Sequence, residues 1–149
     1  MKTFNLVIHT PKNLQEGGDE ASGKLTAIQT LIKFDNINWR QLLVRQLQFD
    51  GDNASFTVTD LETEQTLKLS LNAFSSSADL EFRIESDIVV ITPQKDVFGL
   101  ITRKIKDYID FKNIDFGTAR QYLLYFLNGE SDVLAQCYKQ TKVKTSLSH

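Results

Sequence analysis

The sequence predicts an α+β domain in which a mostly antiparallel sheet of about five to six strands carries helices on one face. Two observations support this prediction. The middle of the chain consists of short alternating or apolar runs separated by polar turn residues, as in an antiparallel meander. The last third repeats apolar residues at helical intervals, so two to three helices follow the strands. Strands followed by helices are typical of α+β proteins, and 149 residues are enough for one sizeable core.

The N-terminal third begins with a predicted strand, FNLVIHT (residues 4–10), which Pro11 ends. The polar, glycine-rich stretch NLQEGGDEASG (13–23) predicts a connection. Residues 25–34 fit two patterns. Strand-like alternation is shown by Thr26, Ile28, Thr30, Ile32 and Phe34, whereas a helical stripe is formed by Leu25, Ile28, Leu31 and Ile32. We favour the strand because β-branched residues are frequent here.

A short early helix is expected next, within FDNINWRQLLVRQLQF (34–49). Asp35, Asn36 or Asn38 can cap its N-terminus, since their short polar side chains accept hydrogen bonds from free backbone N–H groups. The residues near helical spacing are Trp39, Leu42, Leu43 and Leu47.

The meander is predicted from four runs: ASFTVTD, QTLKLSLNAF, ADLEFRIES and DIVVIT, between residues 54 and 92. Apolar and polar side chains alternate within them, so one sheet face forms core and the other meets water. The core face carries Leu67, Leu69, Leu71, Leu80, Phe82 and Ile84, and the opposite face carries Lys68, Ser70, Glu81, Arg83 and Glu85.

Helices are predicted after Pro93. Asp96 caps the first, VFGLITRKIKDYIDF (97–111), with apolar positions at Val97, Leu100 or Ile101, Ile105, Tyr108 and Ile109. A second spans residues 116–127 and ends at Asn128 and Gly129, and a third begins at Ser131 and runs through Tyr138. Residues 1–140 are therefore one domain, and 141–149 are a flexible tail.

Charge and composition point to a cytoplasmic protein that binds neither nucleic acid nor membrane. Residues 1–94 hold 8 Lys/Arg and 13 Asp/Glu, a net charge of −5, whereas residues 95–149 hold 9 and 6, a net charge of +3. The acidic front repels phosphate. The first apolar run ends at Ile8, too short for a signal peptide or a membrane span. The single Cys137 cannot form an internal disulfide, which fits a reducing compartment.

No motif establishes a cofactor, a metal site or catalysis. GDEASGKLT (18–26) approaches P-loop spacing, but Leu25 replaces the required Ser or Thr and acidic residues would face the phosphates. Asp50 and Asp52 begin an EF-hand-like spacing that Ala54 and Leu61 break. His9 and Cys137 offer little for nucleophilic catalysis, and scattered His and Cys residues give no zinc-ligand pair.

An acidic surface is the remaining functional feature. It is predicted to comprise Asp60, Glu62, Glu64, Glu81 and Glu85. Such a surface could dock a basic protein, because complementary charge speeds the encounter and selects the partner.

The run TDLETEQTLKLSLNAFSSSADLEFRIESDIVVIT followed by helices resembles the small bacterial immunity proteins of contact-dependent growth inhibition and related polymorphic toxin systems. That resemblance implies tight binding of a cognate toxin domain, commonly a basic nuclease, so that the acidic surface covers the toxin's active site or the toxin's substrate is excluded. Two alternatives stay open. One is a secretion chaperone or adaptor that acts as a dimer, and monomer or dimer is undecided. The other is a small-ligand-binding domain or enzyme, with a pocket between sheet and helices lined by Phe98, Tyr108, Tyr122 and Phe126.

Overall fold

The computed structural model describes residues 2–11, 18–48, 53–72, 79–95 and 102–147. Within them it has six strands and four helices, an α+β fold that confirms the predicted class. In chain order these elements are β1 (Phe4–Thr10), β2 (Gly18–Leu25), α1 (Ala27–Asp35), α2 (Trp39–Gln48), β3 (Ser55–Asp60), β4 (Thr66–Leu71), β5 (Glu81–Lys95), β6 (Thr102–Asp115), α3 (Phe116–Leu127) and α4 (Ser131–Leu147).

The six strands form one sheet in the order β2-β1-β3-β4-β5-β6, and every neighbouring pair is antiparallel. Alternation along each strand separates two faces. The core face carries the buried residues Phe4, Leu6, Ile8, Phe56, Val58, Leu67, Leu69, Leu71, Phe82, Ile84 and Phe111. The core face predicted for Leu67, Leu69 and Leu71 of β4 and for Phe82 and Ile84 of β5 is thereby confirmed.

All four helices pack on that core face, as aromatic contacts show. Phe34 of α1 lies 5.3 Å from Phe56 of β3 and 5.5 Å from Trp39 of α2, measured between ring centroids. Phe4 of β1 lies 6.3 Å from Phe126 of α3. A further contact of 5.6 Å joins Phe111 of β6 to Tyr138 of α4. The opposite sheet face carries no helix among the described residues, and we call it the open face.

Residues 18–25 form strand β2 and not the predicted connection. The strand pairs with β1, with Asp19 opposite His9 and Glu20 opposite Ile8. As an outer strand with mostly exposed side chains it needs no apolar alternation, so the pattern did not reveal it. The register with β1 runs from Gly18 to Ser22 and resumes at Leu25, and Lys24 between them has a positive φ of 55°. The near-P-loop stretch is therefore a strand with a bulge. Residues 12–17 of the predicted connection lie outside the described residues.

Residues 27–35 are a helix, so the favoured strand was wrong and the helical alternative was right. Thr26 and Gln29 form a capping box: Thr26 Oγ1 accepts from the N–H of Gln29 at 3.1 Å, and Gln29 Oε1 accepts from the N–H of Thr26 at 2.9 Å. Two free donors are thereby satisfied. Thr30 and Phe34 are buried, whereas Ile28 and Ile32 are exposed, so local capping and the Phe34 contacts outweighed β-propensity.

The predicted early helix is confirmed as α2. Asn38 provides the cap, because its Oδ1 accepts from the N–H of Gln41 at 3.1 Å. Trp39, Leu42 and Leu43 are buried as expected, but Leu47 is 59% exposed.

Strands β3 and β4 are confirmed, but the two runs ADLEFRIES and DIVVIT are one strand, β5. Its register with β6 shifts between Glu85 and Val89, so a bulge replaces the predicted break. Pro93 does not end the strand, because it pairs with Lys104 of β6. Strand β4 pairs with β5 only from Phe82 to Ser86, so Pro93 has no described strand on the side opposite β6. Proline is tolerated at such an edge position.

Residues 102–115 form β6, so the predicted helix over 97–111 was wrong there. Ile109 and Phe111 alternate onto the core face, and cross-strand pairing with β5 extends from Thr102 to Asp115. Non-local pairing has outweighed the helical spacing of Ile105, Tyr108 and Ile109. The cap residue Asp96 and the apolar residues Val97, Leu100 and Ile101 lie outside the described residues.

The next helix, α3, has the predicted bounds. Asp115 caps it by accepting from the N–H of Thr118 at 2.7 Å, and Gly129 has the positive φ, 73°, of a residue that follows a helix. Helix α4 begins at Ser131 as predicted but extends to Leu147, into the segment where the sequence loses its periodicity.

Candidate functional site

The open face forms a broad, shallow trough of about 970 Å³ that spans all six strands. Its floor consists of short polar side chains, because alternate residues of the central strands project away from the core. These include Ser55 and Thr57 of β3 and Ser70 of β4. Charged residues surround them: Asp19, Lys68, Arg83, Glu85 and Lys112. The trough is therefore lined mainly by polar and charged residues of both signs, with Val7 as its apolar member.

A forked ion pair anchors one side of the trough. Arg83 of β5 donates from Nε to Asp110 Oδ1 at 3.0 Å and from Nη2 to Oδ2 at 2.8 Å, across to β6. The hydrogen bonds to Asp110 raise the pKa of Arg83, and those from Arg83 lower the pKa of the Asp110 carboxyl against the opposing effect of burial. Bidentate geometry fixes the guanidinium plane, so Arg83 has a defined orientation at the rim.

Three polar residues form a row across β2, β1 and β3 at the other side. His9 lies opposite both Asp19 and Ser55 in the strand registers. His9 Nδ1 lies 2.5 Å from Asp19 Oδ1, and all three residues line the trough. The sequence indicated His9 but not its neighbours, because the β1–β2 pairing that brings Asp19 beside it was missed.

The five predicted acidic residues are not gathered at one place. Glu81 and Glu85 project on the open face, and Glu85 lines the trough. Glu62 and Glu64 are exposed in the turn between β3 and β4, at the end of that hairpin remote from Ser55. The open face is therefore less acidic than the sequence indicated, since Lys68, Arg83 and Lys112 share it.

Asp60 is buried on the core side, with 3% of its surface exposed. Its Oδ2 accepts from Lys2 Nζ at 2.7 Å, and its Oδ1 accepts from the N–H of Glu62 at 2.9 Å. Burial raises the pKa of Asp60, but these hydrogen bonds outweigh burial and the net pKa is lowered. Asp60 thus holds the β3–β4 turn and the N-terminal segment together.

The aromatic residues of the predicted sheet–helix pocket do not share one cavity. Tyr108 is 61% exposed and projects on the open face, whereas Phe126 is buried against Phe4. Tyr122 packs on Phe111 at 4.6 Å, and Phe98 lies outside the described residues. A separate hollow of about 460 Å³ lies where α1 meets α2, between Trp39, Leu80 and Phe116.

No group of three or more His, Cys, Asp or Glu side chains among the residues that the structure describes is arranged to hold a metal ion. None of the helices in this part of the chain combines the length and apolar character needed to cross a bilayer. Cys137 is half-buried in α4. Asp50 and Asp52, the candidate calcium ligands, lie outside the described ranges.

Fold and site together define an α+β protein with its helices on one side of the sheet and a polar, open trough on the other. Comparison with known families, with characterised proteins and with solved structures found no match. The functional conclusion therefore rests on the geometry of this chain.

Proposed function

We propose that this protein neutralises a cognate toxin domain by binding it on the open face of the sheet, as an immunity protein does. The observation that carries the proposal is the open face itself, on which no described helix lies. It is a continuous surface of mainly polar residues across six strands, with a trough of about 970 Å³.

The dimensions of the face fit a protein partner. Six strands at about 4.8 Å spacing and roughly six residues in length give a face of about 24 by 20 Å. Because side chains project from the sheet, the solvent-accessible area of this face is larger than its flat outline. It approaches the roughly 800 Å² that one partner contributes to a standard interface. Small-molecule sites are more enclosed and mainly apolar, whereas this trough is open and has a floor of Ser55, Thr57 and Ser70.

The open face carries both negative and positive charges. This pattern favours a partner with a matching arrangement of both charges over a uniformly basic partner. Glu81 and Glu85 offer negative charge, and Lys68 and Lys112 offer positive charge on the same face. An interface with both signs discriminates between partners, because a wrong partner juxtaposes like charges. Of the five acidic residues predicted to bind the toxin, the proposal retains only the two glutamates of β5, Glu81 and Glu85.

Growth rescue tests the function. The candidate toxin is the product of a gene adjacent to the one encoding this chain, expressed from an inducible promoter with and without this protein. Co-expression is expected to restore growth, and a complex is expected to co-purify. If the toxin kills equally with and without this protein, and no complex forms, the proposal is wrong.

A second candidate, ester or amide hydrolysis, is favoured by the row Asp19–His9–Ser55. The residue types match an orienting carboxylate, a base and a nucleophile, and Nδ1 of His9 faces the carboxylate. The Asp19 side chain is 64% exposed, however, and catalytic electrostatics are strongest where water is excluded, so we prefer the binding role. Labelling of Ser55 by a fluorophosphonate probe, lost in His9→Ala, would favour hydrolysis over binding.

A further inference from the structure

Strands β5 and β6 extend past the rest of the sheet as a two-stranded arm. Strand β4 pairs with β5 only as far as Ser86, whereas β5 and β6 stay paired from Val89 opposite Tyr108 to Lys95 opposite Thr102. We call the paired segments 88–95 and 102–109 the arm. Its base adjoins the trough, and we call the other end of the described pairing, at Lys95 and Thr102, its tip.

The two faces of the arm differ in what covers them. On the core side, Ile88, Val90 and Ile109 are at most 4% exposed, and Tyr138 of α4 donates to Asp107 at 2.7 Å. On the open side, Val89, Ile91 and Tyr108 are exposed by 48%, 49% and 61%. We call these three residues the strip. Val89 and Tyr108 face each other directly across the two strands, so the strip is contiguous.

Opposite charges lie at the two ends of the strip. Lys104 and Lys106 are exposed toward the tip and alternate onto the same face as Tyr108. Toward the base, Glu85 and Asp87 line a hollow of about 340 Å³ together with Tyr108. Glu85 also lines the trough, so strip and trough form one continuous surface. The strip itself is apolar, with the exposed lysines Lys104 and Lys106 toward its tip end and the carboxylates Glu85 and Asp87 at its base end.

We propose that the strip is covered by the strip of a second copy of this chain, packed face to face with the arm tip of each copy over the arm base of the other. A two-fold interface brings one patch against itself. If the strands ran in the same direction, lysines would meet lysines. In the reversed arrangement Lys104 approaches Asp87 of the other copy, which is charge-complementary.

The edges of the arm are unfavourable for pairing with a strand of another molecule. Its exposed face is therefore the surface available for contact. Pro93 lies in the stretch of β5 that pairs with β6 on one side and has no described strand on the other. Lys104 and Lys106 lie on the outer strand β6. Proline and lysine are the residues by which sheets disfavour edge-to-edge pairing. Exposed apolar patches mark interaction sites, and a tyrosine at the centre of a patch is a frequent anchor of such contacts.

The interface is small, so the dimer is expected to be weak. Two arms with a few apolar residues each bury less than a standard interface of about 1,600 Å², and we expect a Kd of about 1–100 µM. A toxin on the open face and a second copy on the strip would compete at Glu85. The inference itself does not rest on the proposed function, because association is measured on this protein alone.

Sedimentation velocity over a concentration range of about 1–500 µM tests the proposal. The wild-type mass is expected to rise from 17.0 kDa toward twice that value, and less so at high salt. Ile91→Asp, at a half-exposed position of the strip, is expected to stay monomeric. The matched control is Ile28→Asp, at a position on α1 that is 72% exposed, which should associate like the wild type.

A charge exchange tests the arrangement. Lys104→Glu and Asp87→Lys alone should each weaken association at least tenfold, and the double variant should recover most of it. Asp87 Oδ1 accepts from the N–H of Thr66 at 2.8 Å, so thermal melting of each variant checks that the fold is retained. A wild type that stays monomeric, a dimer that survives Ile91→Asp, or one lost in Ile28→Asp overturns the proposal. A double variant no better than either single variant refutes the reversed packing.

Discussion

Replacement of Phe34 by alanine is expected to destabilise the fold more than any change on the outer side of the same helix. Phe34 is fully buried and lies 5.3 Å from Phe56, 5.5 Å from Trp39, 5.6 Å from Phe116 and 6.4 Å from Phe82, between ring centroids. It joins α1 to α2, to α3 and to two strands. Phe34 therefore couples three of the four described helices to the sheet.

The magnitude follows from burial and ring contacts. Phe→Ala in a core costs about 3–5 kcal/mol, and each aromatic pair adds about 0.5–1.5 kcal/mol beyond area burial. With four ring neighbours we expect a loss near the upper end, about 4–5 kcal/mol. At an m-value of about 2 kcal/mol/M, the urea midpoint falls by about 2 M.

Urea unfolding followed by tryptophan fluorescence provides the assay, because Trp39 is the single tryptophan and contacts Phe34. Far-UV circular dichroism gives an independent midpoint. Ile32→Ala, half-exposed on α1, is the control and should cost less than about 1 kcal/mol. If Phe34→Ala is too unstable to fold, Phe34→Leu keeps the test, with an expected loss of about 1–2 kcal/mol. Equal losses for Phe34→Ala and Ile32→Ala would refute the assigned role of Phe34.

Three further predictions use the same unfolding assay. Gln46→Ala should cost about 2–4 kcal/mol, because it removes both the acceptor of the Ala54 N–H at 2.7 Å and the donor to the Leu71 carbonyl at 3.2 Å; a loss below about 1 kcal/mol contradicts this. Gly129→Ala should cost about 1 kcal/mol, since φ is 73° and the new Cβ would lie 3.1 Å from Lys2 Cε; an unchanged midpoint argues against it. The free energy of unfolding should fall from about pH 5 to about pH 2, because Arg83 lowers the pKa of Asp110 in the folded state and the unfolded state then binds more protons. In Asp110→Asn this fall should be shallower. The same pH profile for the variant and the wild type would contradict this.

The alternating strands were predictable because their signal is local. Leu67, Leu69 and Leu71 face the core and Lys68 faces water, so the period of two is visible in the sequence alone. Helix α3 was predictable for the same reason, since Asn128 and Gly129 end it by chain geometry that few other residues adopt.

The errors arose where pairing with distant residues determines the structure. Strand β6 carries Ile105, Tyr108 and Ile109 at spacings that also fit a helix, and only its register with β5 distinguishes the two. Strand β2 has little apolar content, and its assignment depends on β1. Helix α1 is the converse case, because a local signal, the Thr26–Gln29 capping box, favours the helix against the β-branched content of the segment.

The candidate site was predictable only in part. Alternation placed Glu81, Arg83 and Glu85 on the face away from the core, which the structure reproduces. Sequence spacing could not show that Asp110 bonds Arg83 or that Asp60 is buried with Lys2, since 27 and 58 residues separate these partners. The strip was missed because it requires the β5–β6 register.

The proposed binding of a toxin domain on the open face is tested by the affinity of the purified toxin domain for two variants of this protein. Thr57→Arg places a large charged side chain on the trough floor, and Gln121→Arg places one on the exposed side of α3. Isothermal titration is expected to show a loss of about 30- to 1,000-fold for Thr57→Arg, equivalent to about 2–4 kcal/mol, and less than about threefold for Gln121→Arg. Wild-type affinity in Thr57→Arg, with affinity lost in Gln121→Arg, would place the binding surface on the helices and rule out binding on the open face.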